Sequence, residues 1–313
     1  MFEALKEKYE NSSKEKADLL EYAKNLHAGL IHITDLNTLF DHSLVSEAVI
    51  DSIGLYIKLN TGIKLYINPK DYEEVPITCL CTREYEPEET EMVMNILRRY
   101  ENDSNFTVLD VGANIGWYTL NIMNAYPQMR VFSFEPSPTT FNRLQNNLTL
   151  NKFSVQGAVN CGLYKEKGTI DFYYDEEGSG ASSLVNLRDK EKIQKISVSV
   201  DTMDSWVSQN EIDRVDFIKC DVEGSEFFVY QGGRETIQKY KPIIFSEMLR
   251  KWSAKFGYHP NDIIRFMSEI GYQCFVIHSD RLVALKEVTE DTIETNYFFL
   301  HADRHKNLIS DLS

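Results

Sequence analysis

The chain of 313 residues has 33 basic and 48 acidic side chains and a formal net charge of −15. This length suits one large α/β domain with a smaller appendage, which can bury a sizeable hydrophobic core. The acidic balance argues against nucleic acid as the main partner, because phosphate contacts need clustered Lys and Arg. No apolar run approaches the length of a membrane span, and residues 1–30 are charged throughout, unlike a signal peptide. We therefore expect a cytoplasmic protein.

The first 87 residues divide into two predicted segments. Residues 1–52 place leucines among charged side chains at a helical period, which predicts a helical extension that covers substrate or assembles a homodimer. Residues 53–87 contain a predicted β-hairpin around the glycine turn Asn60–Gly62, followed by a linker. A helix beginning at about Glu88 then leads into the predicted main domain, residues 88–313.

The main domain is organised around the stretch from Phe106 to Thr119. An apolar, β-branched run ends in Asp110, and Gly112 and Gly116 follow before a helical pattern begins. This order predicts a buried strand, a tight glycine turn and a helix, with bare backbone N–H groups close to a ligand. The spacing Gly-x-x-x-Gly differs from the dinucleotide fingerprint Gly-x-Gly-x-x-Gly, and the Lys-Ser/Thr pair of a P-loop is missing. The turn therefore favours a nucleoside with a short, charged amino-acid arm.

A second acid ends the next predicted strand, Arg130–Phe134. Glu135 follows Gly116 by 19 positions, close to the spacing of the acid that binds ribose in doubly wound sheets. A carboxylate suits this role because it only accepts hydrogen bonds, and the ribose diol supplies two donors. An exposed loop glutamate is the alternative.

Further acids follow the fourth and fifth predicted core strands. Asp221, Glu223 and Glu226 come after one short buried strand, and Glu247 ends the next. The carboxyl ends of parallel strands meet at the crevice where such sheets bind ligands. Crowded carboxylates raise one another's pKa, so one could act as a general base, and their oxygens could also hold a divalent cation. Helix capping and dipole contacts are the alternative, above all for Glu226.

A β insertion is predicted at about residues 168–200, between the third and fourth core strands. Its loop Gly178–Ser183 consists of small side chains, which is typical of an active-site lid or of a solvated connection. The end of the chain reads as a strand, an irregular hairpin and a strand, which favours an open sheet closed by one antiparallel strand.

Four ordered motifs together resemble the FkbM-type methyltransferases. They are Tyr85-Glu-Pro87, Asp110-Val-Gly-Ala-Asn-Ile-Gly116, Glu135-Pro-Ser-Pro138 with Asn147 and Asn151 downstream, and Asp221-Val-Glu-Gly-Ser-Glu226. The resemblance covers roughly residues 83–275. It implies an α/β, class I (Rossmann-like) methyltransferase fold, with a seven-stranded sheet in the order 3-2-1-4-5-7-6 and strand 7 antiparallel. It also implies S-adenosylmethionine as methyl donor and an O-methyl acceptor, often a sugar or polyketide hydroxyl.

The resemblance also implies a set of site residues. The predicted donor-binding residues are Glu86, Asp110, Gly112, Asn114, Gly116, Tyr118, Thr119, Glu135, Pro136, Asn160 and Asp221. Asp110, directly or through a water, is expected to receive the ammonium group of the donor's amino-acid arm. Glu247 and Asp221, and after them Glu223, are the predicted catalytic bases, and the same three are the ligands if a divalent metal is bound.

The sequence leaves two other functions open. One is an S-adenosylmethionine-binding assembly partner without catalysis. The intact acids after strands 4 and 5 count against it. The other is a nucleotide-dependent Rossmann-like oxidoreductase. The missing dinucleotide fingerprint counts against it. Aromatic residues near the crevice suit a neutral glycan acceptor, although a place in the core is the commoner fate of such residues. They are Tyr85, Trp117, Trp252 and Tyr258.

Overall fold

The computed structural model describes residues 43–71, 75–81, 85–175, 182–187 and 193–313. In chain order, the strands are β1 (Val45–Ile50), β2 (Leu55–Leu59), β3 (Lys64–Tyr66), β4 (Thr107–Val111), β5 (Arg130–Phe134), β6 (Ala158–Val159), β7 (Gly162–Leu163), β8 (Gly168–Tyr174), β9 (Gln194–Asp201), β10 (Phe217–Cys220), β11 (Ile243–Glu247), β12 (Tyr272–His278), β13 (Arg281–Leu285) and β14 (Asn296–His301). The helices are α1 (Val75–Cys81), α2 (Pro87–Arg98), α3 (Trp117–Ala125), α4 (Pro138–Leu150), α5 (Met203–Gln209), α6 (Glu226–Gly232), α7 (Arg234–Tyr240), α8 (Arg250–Lys255), α9 (Pro260–Glu269) and α10 (Lys306–Leu312).

The main sheet has the strand order β13-β12-β14-β11-β10-β4-β5-β6. Strands β6, β5, β4, β10 and β11 run parallel, and β14 runs antiparallel to both of its neighbours. The predicted Rossmann-like fold and the order 3-2-1-4-5-7-6 are thereby confirmed. The predicted count of seven strands is wrong, because the irregular hairpin after β12 returns as β13 and adds an eighth strand at the sheet edge.

Two hydrophobic cores lie on opposite faces of this sheet. Neighbouring residues of the central strands alternate between them, as Val108 and Leu109 do in β4, because successive side chains of a strand point to opposite faces. All five residues of β4 are buried. The central strands are therefore covered by helices on both sides, and their carboxyl ends open together at one edge.

The segment before the main domain is built differently from the prediction. Residues 1–42 lie outside the described residues, and so does the predicted homodimer contact through them. Within the rest of the predicted helical segment 1–52, Val45–Ile50 forms strand β1 instead of a helix, because its β-branched residues pair antiparallel with β2. Strands β2 and β3 form a hairpin around Asn60–Gly62, and helix α1 lies in the stretch predicted as linker. Among the described residues, no helix combines the length and the apolar character needed to cross a bilayer, and the cytoplasmic location stays a prediction.

Asn147 of α4 and Asn151, the residue that caps the end of this helix, attach this small sheet to the main domain. Asn151 Oδ1 accepts a hydrogen bond from Lys64 N at 2.8 Å, and its Nδ2 donates to Lys64 O at 2.7 Å. Asn147 Oδ1 accepts from Tyr66 N at 2.9 Å, and its Nδ2 donates to Ile115 O at 2.9 Å. The amide of Asn147 therefore links the edge strand β3 to the glycine turn after β4.

The β insertion forms a separate three-stranded sheet in the order β7-β9-β8. Of its predicted lid loop Gly178–Ser183, only Ser182 and Ser183 are among the described residues. Ser183 pairs with Tyr173 as an isolated bridge, and its hydroxyl donates to Glu223 O at 2.7 Å. The described part of the loop is thus hydrogen-bonded to the acidic segment Asp221–Glu226 that follows β10.

Replacing Asn147 with alanine is expected to lower the free energy of unfolding by about 2–4 kcal/mol. The buried Tyr66 N–H and Ile115 carbonyl would both lose their partner, and each such group costs about 1–3 kcal/mol. Urea denaturation measures the change. Asn146→Ala is the matched control, because Asn146 is the exposed neighbour on the same helix, and an equal loss in both variants would contradict the assigned link.

Candidate active site

The glycine turn after β4 is shaped by close backbone packing. Gly112 has φ +75°, and a Cβ there would lie 1.8 Å from the Asp221 carbonyl oxygen, so no other residue fits. Gly116 has φ +100° and precedes α3. The prediction of bare N–H groups is wrong for most of the turn: Gly112 and Ala113 donate to Phe134 O at 3.0 and 2.9 Å, and Gly116 donates to Ala113 O. The turn brings its backbone close to a ligand while its amides hold β5.

Glu135 follows β5 and is buried, so the alternative of an exposed loop glutamate is wrong. Its Oε2 accepts from Asn114 N at 3.1 Å and its Oε1 from Ser137 N at 2.9 Å. Burial raises the pKa of Glu135 to about 7, in spite of these two hydrogen bonds. Asn160 Nδ2 donates to the carbonyl oxygens of Glu135 and Pro136 at 2.8 and 3.1 Å, which fixes the end of the strand.

Asp110 is fully buried behind the turn. Its Oδ2 accepts from Thr119 N at 3.1 Å and from Thr119 Oγ1 at 2.6 Å. Its Oδ1 lies 3.8 Å from Lys219 Nζ, and burial raises the pKa of Asp110. Asp110 therefore orients the first turn of α3 and one lysine.

Sequence reasoning missed Lys219, which is 5% exposed in the middle of β10. Its Nζ donates to Gly112 O at 2.9 Å and to Asp221 Oδ2 at 3.2 Å. Burial by itself would lower the pKa of Lys219, but the carboxylates of Asp221, Asp110 and Glu86 outweigh it and the pKa lies above its ordinary value. A lysine inside the apolar run Phe217–Cys220 was the available signal, because lysine is almost never fully buried unless it is paired.

A charged cavity of ≈350 Å³ lies on one side of the turn. Glu86 and Tyr118 line it together, and Tyr118 OH donates to Glu86 Oε2 at 2.8 Å. Burial, and then the charge of Asp221, raise the pKa of Glu86. The wall also includes Tyr85, Gly112, Asn114, Trp117, Lys219 and Asp221.

A second, more apolar cavity of ≈690 Å³ lies on the other side, between the main sheet and the β insertion. Its wall includes Phe134, Glu135, Pro136, Leu163, Phe172, Leu184 and Val200. Both cavities share Gly112, Asn114 and Asp221, so they meet at the glycine turn. Among the predicted donor residues, Asp110, Gly116, Thr119 and Asn160 line neither cavity and support the walls from behind.

The predicted catalytic acids come together at the carboxyl ends of β10 and β11. Asp221, Glu223 and Glu247 each offer a carboxylate oxygen, and these oxygens lie within 4.8 Å of one another. Burial, followed by the charges of Asp221 and Glu223, raises the pKa of Glu247 well above its usual range. Three oxygens at this spacing can share a proton or hold a hard divalent cation.

Glu226 has a different role from the other acids. Its Oε1 accepts from Val222 N at 3.1 Å and from Gly224 N at 2.9 Å, and its Oε2 accepts from Tyr258 OH at 3.1 Å. The carboxylate therefore folds the loop at the start of α6, as the capping alternative predicts.

A family model described as "Methyltransferase FkbM domain" matches residues 110–274, just over half of the chain. The chain belongs to this family. The matched range begins at Asp110 and contains the glycine turn, Glu135 and every other acid discussed above except Glu86.

Curated relatives of this FkbM-domain chain are methyltransferases by name. "Methyltransferase 1" of Beauveria bassiana is 30% identical over an alignment of 148 positions, and the match covers 42% of this chain and 59% of the relative. "2-O-methyltransferase NoeI" of Sinorhizobium fredii is 27% identical, over 45% of this chain and 62% of the relative. "Hexuronic acid methyltransferase AglP" of Haloferax volcanii is 28% identical, over 58% of this chain and 68% of the relative. The chain thus spans about three-fifths of the length of most of these relatives.

A solved structure of methyltransferase FkbM from Methylobacillus flagellatus is also similar to the chain. It shows 20% sequence identity and a TM-score of 0.40, and the match covers 63% of this chain and 44% of the other.

Membership of the FkbM family implies S-adenosylmethionine as methyl donor, and the residues present fit it. In the described part of the chain, Asn114 Oδ1 and Asp221 Oδ1 are buried without a hydrogen-bond partner, and both residues line the charged cavity. Acceptor oxygens in that position suit the ammonium group of an amino-acid arm. Glu135 follows β5, next to β4 in the sheet, as the ribose acid of doubly wound sheets does. The apolar cavity that it lines suits an adenine ring.

Replacing Lys219 with methionine is expected to destabilise the protein by about 3–5 kcal/mol, because it leaves buried carboxylates without their counter-charge. The charge of Lys219 now partly offsets the burial that raises the pKa of Asp110. Without Nζ that pKa should rise further, so the folded state binds more protons than the unfolded state and stability falls as pH increases. Denaturant unfolding at pH 5 and pH 8 measures this.

Lys58→Met is the control for Lys219. Lys58 pairs with Glu47 at 2.6 Å on the surface, and an exposed pair of this kind contributes at most about 1 kcal/mol. Similar losses in the two variants, or a loss in Lys219→Met that does not grow with pH, would contradict the proposed charge balance.

The affinity for S-adenosylhomocysteine is expected to fall as pH decreases below about 7, the value to which burial raises the pKa of Glu135. As the predicted ribose acid, an ionised Glu135 would accept from two ribose hydroxyls, so affinity should drop by up to about tenfold per pH unit below that value and level off above it. Calorimetric titration between pH 5.5 and 8 measures the profile.

In the same titration, Glu135→Gln should bind more weakly and lose this pH dependence. Glu88→Gln, at the exposed start of α2, should keep the native profile. An unchanged pH dependence in Glu135→Gln would remove Glu135 from the ribose site.

Proposed function

We propose that the chain is an S-adenosylmethionine-dependent O-methyltransferase that transfers a methyl group to a hydroxyl of a small molecule or glycan, with a sugar as the favoured acceptor. The observation that carries the proposal is the meeting of two cavities at Gly112, one charged and one apolar, directly beside the carboxylates that follow β10 and β11. This arrangement suits a nucleoside with an amino-acid arm whose reactive centre faces a basic group.

The donor would lie across the turn. Glu135 accepts from the ribose hydroxyls, and the apolar cavity between Phe134 and Leu184 receives the adenine ring. Glu86, Asn114 and Asp221 face the arm's ammonium group, while Lys219 faces its carboxylate. In this proposal Asp110 and Thr119 are positioning residues, since they hold Lys219 and the start of α3 in place.

The bound donor supplies a methyl group on a positively charged sulfur, which an incoming oxygen displaces in line. The protein's first contribution is alignment of the acceptor oxygen with that methyl group, because orientation accounts for much of the barrier in such a reaction. Its second contribution is removal of the hydroxyl proton. The carboxylate of Glu247 has a raised pKa, which makes its ionised form a stronger base than an ordinary glutamate.

Asp221 and Glu223 support this base. Their charges keep the pKa of Glu247 high, and Asp221 in turn is held by Lys219 at 3.2 Å. A proton that arrives on Glu247 is therefore stabilised by its neighbours. A divalent cation bound by the same three oxygens would act differently, because it would lower the pKa of the acceptor hydroxyl directly.

The names of the relatives support a sugar acceptor. One relative is named a hexuronic acid methyltransferase and another a 2-O-methyltransferase. The identities of 27–28% and the partial coverage leave the acceptor's identity and the methylated position as part of the proposal.

Glu247→Gln is expected to bind S-adenosylhomocysteine normally and to lose turnover by at least about 100-fold, which is the usual contribution of a general base. Turnover is followed as release of S-adenosylhomocysteine with glucuronic acid, glucose and N-acetylglucosamine as trial acceptors. The rate of the unmodified protein should rise with pH, as ionisation of Glu247 requires.

Glu290→Gln is the control for this prediction, because Glu290 is an exposed acid paired with Arg250 near the same strand ends. Full turnover by Glu247→Gln would remove Glu247 as the base. Loss of native turnover in the presence of EDTA would favour the metal site, and donor binding without turnover on any acceptor would favour a non-catalytic assembly partner.

A further inference from the structure

The aromatic residues predicted near the crevice are mostly interior. Trp117 and Trp252 are buried, Tyr85 packs edge-on against Trp117, and Tyr258 donates its hydroxyl to Gly224 O. These rings build the walls of the site. They leave no obvious flat surface for a sugar within the described residues.

Three other rings form a partly exposed row, which we call the aromatic row: Tyr164, Phe228 and Phe256. The ring centroids of Phe256 and Phe228 lie 6.0 Å apart, and those of Phe228 and Tyr164 lie 5.2 Å apart. All three are half-buried, and all three lie outside the two cores that cover the main sheet in the described structure. Partly exposed rings in contact with one another beside a crevice can form part of a binding surface.

One end of the aromatic row touches the loop of the proposed base cluster. A Cβ on Gly224 would lie 2.9 Å from the ring of Phe256, so the ring packs directly on the backbone beside Glu223. Glu223 in turn contributes an oxygen to the group with Asp221 and Glu247. The row therefore leads from the acid cluster outward along the surface of α6.

Positive charge accompanies the row in a chain that is acidic overall. Lys165 Nζ lies 5.3 Å from the ring centroid of Phe228 and 5.8 Å from that of Tyr164. Lys255, next to Phe256 in sequence, donates to Asn186 O at 3.1 Å. Burial, and then the charge of Glu166, raise the pKa of Tyr164. Glu166 therefore faces one end of the row, and Glu223 lies beside the other end.

We propose that the aromatic row is a binding site for an extended acidic glycan, whose terminal sugar places its hydroxyl at the acid cluster. This inference rests on the proposed function, since the row selects the acceptor of the same site. Sugars stack their C–H faces on aromatic rings, and ring separations of 5–6 Å suit successive sugar residues. A carboxylate on the second or third sugar would pair with Lys165, as charge-assisted contacts do.

The test is calorimetric binding to the full-length chain in the presence of S-adenosylhomocysteine. Tetragalacturonate is the acidic probe, maltotetraose the neutral one, and galacturonic acid the single-residue one. The native protein should bind tetragalacturonate more tightly than either of the others. Phe228→Ala should weaken that binding by about tenfold, as truncation of a central aromatic contact does, and Lys165→Gln should remove the preference for the acidic probe.

Tyr56→Ala is the matched control. Tyr56 is a half-buried ring of β2 with Lys64 Nζ 5.8 Å from its centroid, so it reproduces the ring–lysine pair away from the crevice. It should leave tetragalacturonate binding unchanged.

Equal binding of the acidic and neutral probes would overturn the proposed preference for an acidic glycan. Failure of tetragalacturonate to bind, or native binding by both Phe228→Ala and Lys165→Gln, would overturn the site. Failure of the proposed function would give a different result. Either S-adenosylhomocysteine itself would not bind, or tetragalacturonate would bind while no methyl group is transferred.

Discussion

The ion pairing of Lys219 is the interaction on which the site depends. Its ammonium group lies in the interior of the sheet, 3.2 Å from Asp221 Oδ2 and 3.8 Å from Asp110 Oδ1, and it also holds the carbonyl of Gly112 at 2.9 Å. Strand β4, the glycine turn and the segment after β10 therefore each contact this one ammonium group. The crowding of carboxylates at the strand ends is tolerable because a fixed positive charge lies beneath them.

The same arrangement separates the tasks of the acids. Glu135 is isolated on the far side of the turn and is surrounded by backbone N–H donors, which suits recognition of hydroxyl groups. Glu247 lies next to two other carboxylates and has a raised pKa, which suits proton transfer. Glu226 is tied to the backbone of its own loop. Similar side chains at neighbouring strand ends thus differ in chemistry because their partners differ.

Much of this could be predicted from the sequence. The resemblance to the FkbM-type methyltransferases predicted the sheet order, and the apolar runs at the end of the chain predicted one antiparallel closing strand. The acids after successive strands predicted that Asp221, Glu223 and Glu247 face one crevice. The errors concern long-range pairing: Val45–Ile50 is a strand because β2 lies beside it, and β13 adds to the sheet because it folds back on β12. The amides of Gly112 and Ala113 are bonded to Phe134 O. Lys219 stands out in the sequence as a lysine within an apolar run, but its role in the site follows only from its three partners. Local patterns do not contain these contacts.

The central claim is that the two cavities joined at Gly112 bind S-adenosylmethionine. Calorimetric titration of the full-length chain with S-adenosylhomocysteine, and in parallel with NAD, tests it most directly. We expect one molecule of S-adenosylhomocysteine to bind per chain and NAD not to bind. Binding of NAD, or no heat of binding with S-adenosylhomocysteine at pH 8, where Glu135 is ionised, would contradict it.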